Sequence, residues 1–269
     1  MDSIKLSIKA SQEAQELLIA TLSDLNATGF EQQEDVLIAW FYADDFNEVE
    51  ILPLLSSYEY DVETVKEQNW NEMWEKDFQP VIVEDFCAIR AHFHEPITTV
   101  QHEIIITPKM SFGTGHHATT YMMVQQMKDI DFRNKSVFDF GTGTGILAIL
   151  AEKLGAREIT AIDVDDWSIE NAAENIARNQ CQAIELYQSS SVPVTKTFDI
   201  ILANINKNVI LQHLASIIDA IGEEGKVLFS GLLIEDEQDI ISACKGFPLS
   251  LLRKVSRGNW ISLYFSKTS

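Results

Sequence analysis

Basic residues are scarce in this chain: 20 Lys and Arg stand against 41 Asp and Glu, a formal charge of -21 over 269 residues. Such a surface repels phosphate backbones and attracts cationic partners, so a basic protein is a better match than naked nucleic acid. Cysteine is also thin. Cys87, Cys181 and Cys244 are odd in number and too widely spaced for a C-x-x-C metal clip, which argues against a disulfide scaffold and for a reducing interior. No stretch reaches the roughly 18 uninterrupted apolar residues of a membrane span, and Met1-Asp2-Ser3-Ile4-Lys5 lacks the basic and apolar regions of a signal peptide. The expectation is a cytoplasmic, monomeric protein with no membrane partner. At 46% apolar, it has room for one large domain or two unequal ones.

The densest signal is Val137-Phe138-Asp139-Phe140-Gly141-Thr142-Gly143-Thr144-Gly145, continuing into Ile146-Leu147-Ala148. An apolar run that breaks into alternating glycines and resumes as an apolar segment reads as buried strand, tight turn and helix start. Glycine serves there because a residue without Cβ takes positive φ cheaply and lets a ligand approach the backbone. Asp163 follows 22 positions after Gly141, at the end of the next strand, where a carboxylate can accept hydrogen bonds from ribose hydroxyls. The spacing is G-x-G-x-G rather than the dinucleotide pattern G-x-G-x-x-G, and no Lys or Arg lies between Gly141 and Leu150. A nucleoside cofactor without strong negative charge, S-adenosylmethionine, fits better than a pyrophosphate.

Residues 4–10 alternate as a half-buried strand, and Ser11 caps a helix over 13–27. Strand 36–42, helix 46–55 and strand 58–65 complete an α+β module of ferredoxin-like type over 1–65. A linker helix follows over 66–79, with Trp70, Trp74 and Phe78 on one face; packing and contact with a protein substrate are both open to it. The remaining domain, 80–269, opens with short strands at 81–83, 86–92 and 103–106. It then alternates strands at 136–140, 159–163, 184–188, 198–204 and 226–232 with helices at 145–154, 167–179, 207–221 and 235–244. An antiparallel pair at 249–255 and 260–265 closes it. This is an α/β arrangement, the seven-stranded Rossmann-like sheet of class I methyltransferases, and ligands on such sheets sit at the carboxyl ends of the strands. Gly141, Asp163 and Asn204 therefore belong to one crevice.

A second glycine-containing loop, Phe112-Gly113-Thr114-Gly115-His116-His117-Ala118-Thr119-Thr120, leads into a helix over 120–127. Adjacent histidines point in different directions and no third ligand has the right spacing, so no metal is expected. Taken with the Asp139–Ala148 block, Ala161-Ile162-Asp163 and Leu202-Ala203-Asn204-Ile205, this loop resembles the bacterial methyltransferases that modify large-subunit ribosomal protein eleven. The resemblance spans nearly the whole chain. It implies S-adenosylmethionine as cofactor, with contacts from Thr120, Gly141, Asp163 and Asn204, and with Phe112 and the 113–115 turn walling the pocket beside Gly143. It also implies a ribosomal protein as partner and lysine amines as acceptors. Gln188-Ser189-Ser190-Ser191 supplies no acid after the third strand, where many methyltransferases hold the adenine amino group.

Methyl transfer from a sulfonium is an in-line displacement, so few catalytic side chains are needed beyond those that align the nucleophile. Asn204 is the expected orienting residue, because an amide oxygen accepts amine hydrogens without carrying charge. For His116 two roles stand open, proton acceptor and loop brace. Asn204-Ile205-Asn206 lacks the prolines and aromatic of the Asn-Pro-Pro-Tyr motif that methylates planar nitrogens, which argues against a flipped nucleic-acid base. A noncatalytic nucleoside-binding module, the remaining alternative, would bind without turnover.

Overall fold

The structure, a computed structural model, describes residues 2–65, 78–108, 115–193 and 196–268. The chain divides into two compact units, Met1–Asp77 and Phe78–Ser269. The expected linker helix, with Trp70 and Trp74, lies outside the described residues, as does Phe112.

The first unit runs β1 (Ser3–Lys9), α1 (Gln12–Ser23), β2 (Gly29–Gln32), β3 (Val36–Tyr42), α2 (Glu48–Ile51) and β4 (Glu59–Val65). Its strands pair antiparallel in the order β2-β3-β1-β4. Alternation sets Ile4, Leu6 and Ile8 opposite Phe41, Ala39 and Leu37, and these pack with Leu18, Leu22, Ile51 and Leu55 as one core. Three local expectations are corrected. Helix α1 stops at Ser23 rather than residue 27, because Asn26 takes a φ of 66° and the Ala27 N–H turns back to the Leu22 carbonyl at 3.1 Å, a left-handed ending that asparagine tolerates. The 46–55 segment holds only one short α-helix, flanked by 3-10 turns at Ala43–Asp45 and Leu52–Leu55, since Pro53 has no N–H with which to continue it. Strand β2 was not anticipated: its four residues are exposed or half-buried and show no alternation.

The second unit opens with a three-stranded sheet, β5 (Val81–Val83), β6 (Cys87–Ala91) and β7 (His102–Ile106). Helix α3 (Ala118–Met127) follows. The chain then alternates β8 (Ser136–Phe140), α4 (Ile146–Lys153), β9 (Glu158–Asp163), α5 (Asp166–Arg178), β10 (Ile184–Gln188), β11 (Phe198–Asn204), α6 (Lys207–Asp219), β12 (Ile221–Leu233), α7 (Glu237–Cys244), β13 (Leu249–Arg257) and β14 (Trp260–Lys267). The sheet order is β10-β9-β8-β11-β12-β14-β13. Pairings from β10 through β12 are parallel, and β14 joins β12 and β13 antiparallel. Every residue of β8 is buried, as a central parallel strand requires. Phe138 stacks on Phe198 and Phe140 at centroid distances of 5.1 and 5.8 Å. From β8 the chain moves outward to β9 and β10, then crosses back to β11 and β12. That reversal puts a crevice over the carboxyl ends of β8 and β11.

Helix α5 also acts as a bolt. Asn171, Asn175 and Asn179 recur at i, i+4 and i+8, so they share one face. Asn175 donates to the Thr144 carbonyl at 2.9 Å and accepts the Thr107 N–H at 2.8 Å. Asn179 both accepts from Ile105 N–H and donates to its carbonyl. The glycine turn is thereby tied to the end of β7. Among the described residues, no helix is long and apolar enough to cross a membrane.

Candidate functional site

The turn after β8 is built from three left-handed glycines: Gly141, Gly143 and Gly145 have φ of 73°, 55° and 81°. Gly141 N–H and Thr142 N–H both donate to the Ile162 carbonyl at 2.9 Å, folding the turn against the end of β9. A Cβ on Gly141 would run into Ile205 Cγ2. Asp163 Oδ2 accepts the Gly143 N–H at 2.8 Å, and its Oδ1 accepts the Asp165 N–H at 3.1 Å. The carboxylate therefore first organises the turn. Each of its oxygens retains a lone pair for a further donor.

Below the turn, Asp139 is fully buried and accepts the Thr142 hydroxyl at 2.6 Å. Burial pushes its carboxyl up to about 7, against the opposing pull of the Thr142 hydrogen bond. A carboxyl whose folded-state pKa exceeds its unfolded value stabilises the fold fully below the unfolded pKa, and loses that contribution as pH rises through the folded one. Asp139→Asn is accordingly expected to flatten the decline in stability between about pH 4 and about pH 7. Urea midpoints of both proteins across that range provide the check, and parallel curves would refute the assignment.

Asn204 closes β11, in register with Ser230 of β12. Its Nδ2 donates to Thr120 Oγ1 at 3.3 Å, whereas Oδ1 is buried with no hydrogen-bond partner. A buried amide oxygen without a donor costs about 1 to 3 kcal/mol, which makes it a place where a ligand donor is wanted. Beside it, Gly231 sits at φ 80°, and a Cβ there would collide with the Ile205 backbone.

These parts face one cavity of about 1090 Å³. It brings together Thr120, Gly141, Gly143, Asp163 and Asn204 of the sequence-derived set. His116 stands apart from that set. It is not among the lining residues; its ring packs edge-on against Phe78 at 4.8 Å, and Nε2 lies 2.8 Å from the Gln79 carbonyl oxygen. Those contacts suit the loop-bracing role of the two. The neighbouring His117 lines the cavity instead. It caps α3 by accepting the Thr119 N–H, and its ring meets Trp260 edge-to-face at 4.5 Å. Trp260, Gly231 and Trp167 also line the cavity and were not anticipated. Gly231 did leave a signal, because glycine inside a strand pattern marks a bulge or close backbone approach, and the β12–β14 register does shift between Phe229 and Leu232.

The wall carries a small negative charge. Asp163 and Asp165 are its acids, and no described Lys or Arg lines it. Among the described residues no cluster of three or more His, Cys, Asp or Glu is placed to hold a metal.

Comparison with known proteins follows the same lines. Residues 30–268 match the family described as ribosomal protein L11 methyltransferase (PrmA). A ribosomal protein L11 methyltransferase of Porphyromonas gingivalis is 39% identical over 268 residues, covering 96% of this chain and 92% of that one. Its counterpart from Chlorobaculum tepidum is 35% identical over 274 residues, at 96% and 94% coverage. The crystal structure of a ribosomal protein L11 methylase from Lactobacillus delbrueckii subsp. bulgaricus superposes with a TM-score of 0.66 at 31% identity, over 71% of this chain and all of that one. The tRNA methyltransferase of M. jannaschii, at 16% identity and TM-score 0.51, shares the fold alone. With the α/β class I methyltransferase fold and a family match over most of its length, the chain belongs to the ribosomal protein L11 methyltransferase family.

Proposed function

We propose that this protein transfers methyl groups from S-adenosylmethionine to amine nitrogens of large-subunit ribosomal protein eleven, on lysine side chains and at the amino terminus. The observation that carries the reading is one cavity, free of described basic side chains, that holds the glycine turn, the Asp163 carboxylate and the unpartnered Asn204 Oδ1. The names of its relatives supply the substrate.

The residues fit the cofactor. When bound, S-adenosylmethionine supplies an electrophilic methyl group on a sulfonium. Gly141 and Gly143 leave the backbone open to the nucleoside, and the spare lone pairs of Asp163 accept from the ribose hydroxyls. A lysine amine of ordinary pKa about 10.4 costs about 4 to 5 kcal/mol to present neutral at pH 7. A carboxylate beside it would deepen that cost by favouring the ammonium form; the neutral Asn204 amide does not. Ile205 and Trp260 line the same cavity and exclude water, which lowers the amine pKa further.

The amino-terminal unit has a ferredoxin-like strand order and serves substrate recognition. Residues 1–65 carry 14 Asp and Glu against two Lys, and both lysines are paired, Lys5 with Glu63 and Lys9 with Glu59. Its unbalanced negative charge suits a cationic partner. The protein works in the cytoplasm as a monomer.

Radiolabelled methyl uptake by purified ribosomal protein eleven tests the amine assignment. Uptake is expected to vanish once the acceptor amines are acetylated; undiminished uptake would overturn it. Asp163→Ala is expected to weaken S-adenosylmethionine binding by about 1 to 3 kcal/mol, the scale of hydrogen bonds to a charged group. Unchanged affinity by calorimetry would remove Asp163 from the ribose site.

A further inference from the structure

The end of the cavity beyond Asp163 has an unusual makeup. Trp167, in the first turn of α5, lines it while remaining 66% exposed. A tryptophan this exposed is not there to fill the core, and an indole face at a cavity wall can stack on a ligand base. Its backbone is pinned: Asp165 caps the helix by accepting the Trp167 N–H at 3.2 Å. Just after β10, Ser189 and Ser190 line the same cavity. The loop there is held to β9, with Ser189 N–H donating to the Asp163 carbonyl at 2.8 Å and the Gln188 side chain donating to the Val164 carbonyl at 3.2 Å. Ser189 Oγ accepts the Ser191 N–H at 3.1 Å and donates to the Ser191 carbonyl at 3.5 Å, a long bond that a ligand acceptor can displace. The β10 side of the cavity thus presents hydroxyls and backbone, and no carboxylate.

We propose that this chain reads the base of its nucleoside cofactor by stacking on Trp167 rather than through an acid after β10, and so discriminates weakly between 6-amino and 6-oxo purines. The chemistry follows from donor and acceptor capacity. A carboxylate only accepts, so it welcomes an amino group and repels a carbonyl; a serine hydroxyl donates or accepts and suits either. Selectivity of many orders arises where a fixed polar group is left unpaired by the wrong ligand. Hydroxyls that rotate impose no such penalty, whereas an indole face accepts any purine.

The inference rests on the cofactor reading above, and the test separates the two. S-adenosyl-L-homocysteine and S-inosyl-L-homocysteine are titrated into the full-length protein by calorimetry, with tryptophan fluorescence recorded in parallel. The two ligands are expected to bind within about tenfold of each other. Trp167→Ala is expected to weaken both by about ten- to a hundredfold, on the scale of losing one base–aromatic stack, whereas Trp167→Phe keeps most of the affinity and reduces the ligand-induced fluorescence change to the part carried by Trp260, which lines the same cavity. Because Trp167 is largely exposed, the thermal midpoint of both variants should match the parent. Rejection of the inosyl ligand by more than a thousandfold, or full affinity in Trp167→Ala, would overturn the proposal. Failure of the parent protein to bind S-adenosyl-L-homocysteine would overturn the cofactor reading, and this inference with it.

Discussion

Gly143→Val is expected to abolish S-adenosylmethionine binding while leaving the protein folded. Gly143 sits at φ 55°, a region that a β-branched residue adopts only under strain. Its N–H donates to Asp163 Oδ2 at 2.8 Å, so a backbone that moves away from positive φ also releases the carboxylate assigned to the ribose. The side chain would add bulk to a turn that lines the cavity. Loss of turn geometry, carboxylate placement and open space together predicts at least a hundredfold fall in affinity, since about 1.4 kcal/mol corresponds to each factor of ten. Calorimetry with circular dichroism on the same sample provides the check. Retained affinity with an unchanged spectrum would mean that the turn does not hold the nucleoside.

The second large effect is expected at Asn204. Its amide spans two jobs, with Nδ2 on Thr120 Oγ1 at 3.3 Å and Oδ1 buried without a partner. Asn204→Ala removes the acceptor that orients the amine, and the expected result is a fall in kcat of about a hundred- to a thousandfold, the usual scale for one preorganised polar contact. Binding of S-adenosyl-L-homocysteine should fall less. Asn204→Asp provides the sharper contrast. A carboxylate at this place raises the pKa of the acceptor amine, so activity should fall at neutral pH and recover as pH rises toward that pKa. A pH–rate profile with unmoved limbs would remove Asn204 from contact with the amine.

The catalytic unit was largely legible because its signals are local and dense. The five parallel strands are short apolar runs bounded by turn residues, and the glycine turn states its own backbone geometry. The crevice followed from the order of strands and helices, since the reversal around β8 leaves few alternatives. What escaped notice depends on tertiary placement. Strand β2 is a four-residue edge with no alternation; only its pairing with β3 makes it a strand. Trp260 reaches the cavity because β14 returns antiparallel beside β12, which no local spacing reveals. The placement of His117 rather than His116 at the cavity wall is of the same kind. Adjacent residues on a loop point apart, and only the positions of Gln79 and Trp260 decide which ring faces the cavity. The asparagine face of α5 left a signal in its spacing: of the three asparagines at helical spacing, Asn171 and Asn175 are buried, and buried amides need partners such as the backbone groups that Asn175 meets here.

The most direct test is mass spectrometry of purified large-subunit ribosomal protein eleven after incubation with this protein and S-adenosylmethionine. Mass gains in steps of one methyl, mapped to lysine side chains or the terminal amine and absent with Gly143→Val, are the expected result. An unmodified acceptor, in the presence of cofactor binding shown by calorimetry, would contradict it and leave a methyltransferase whose substrate is another molecule.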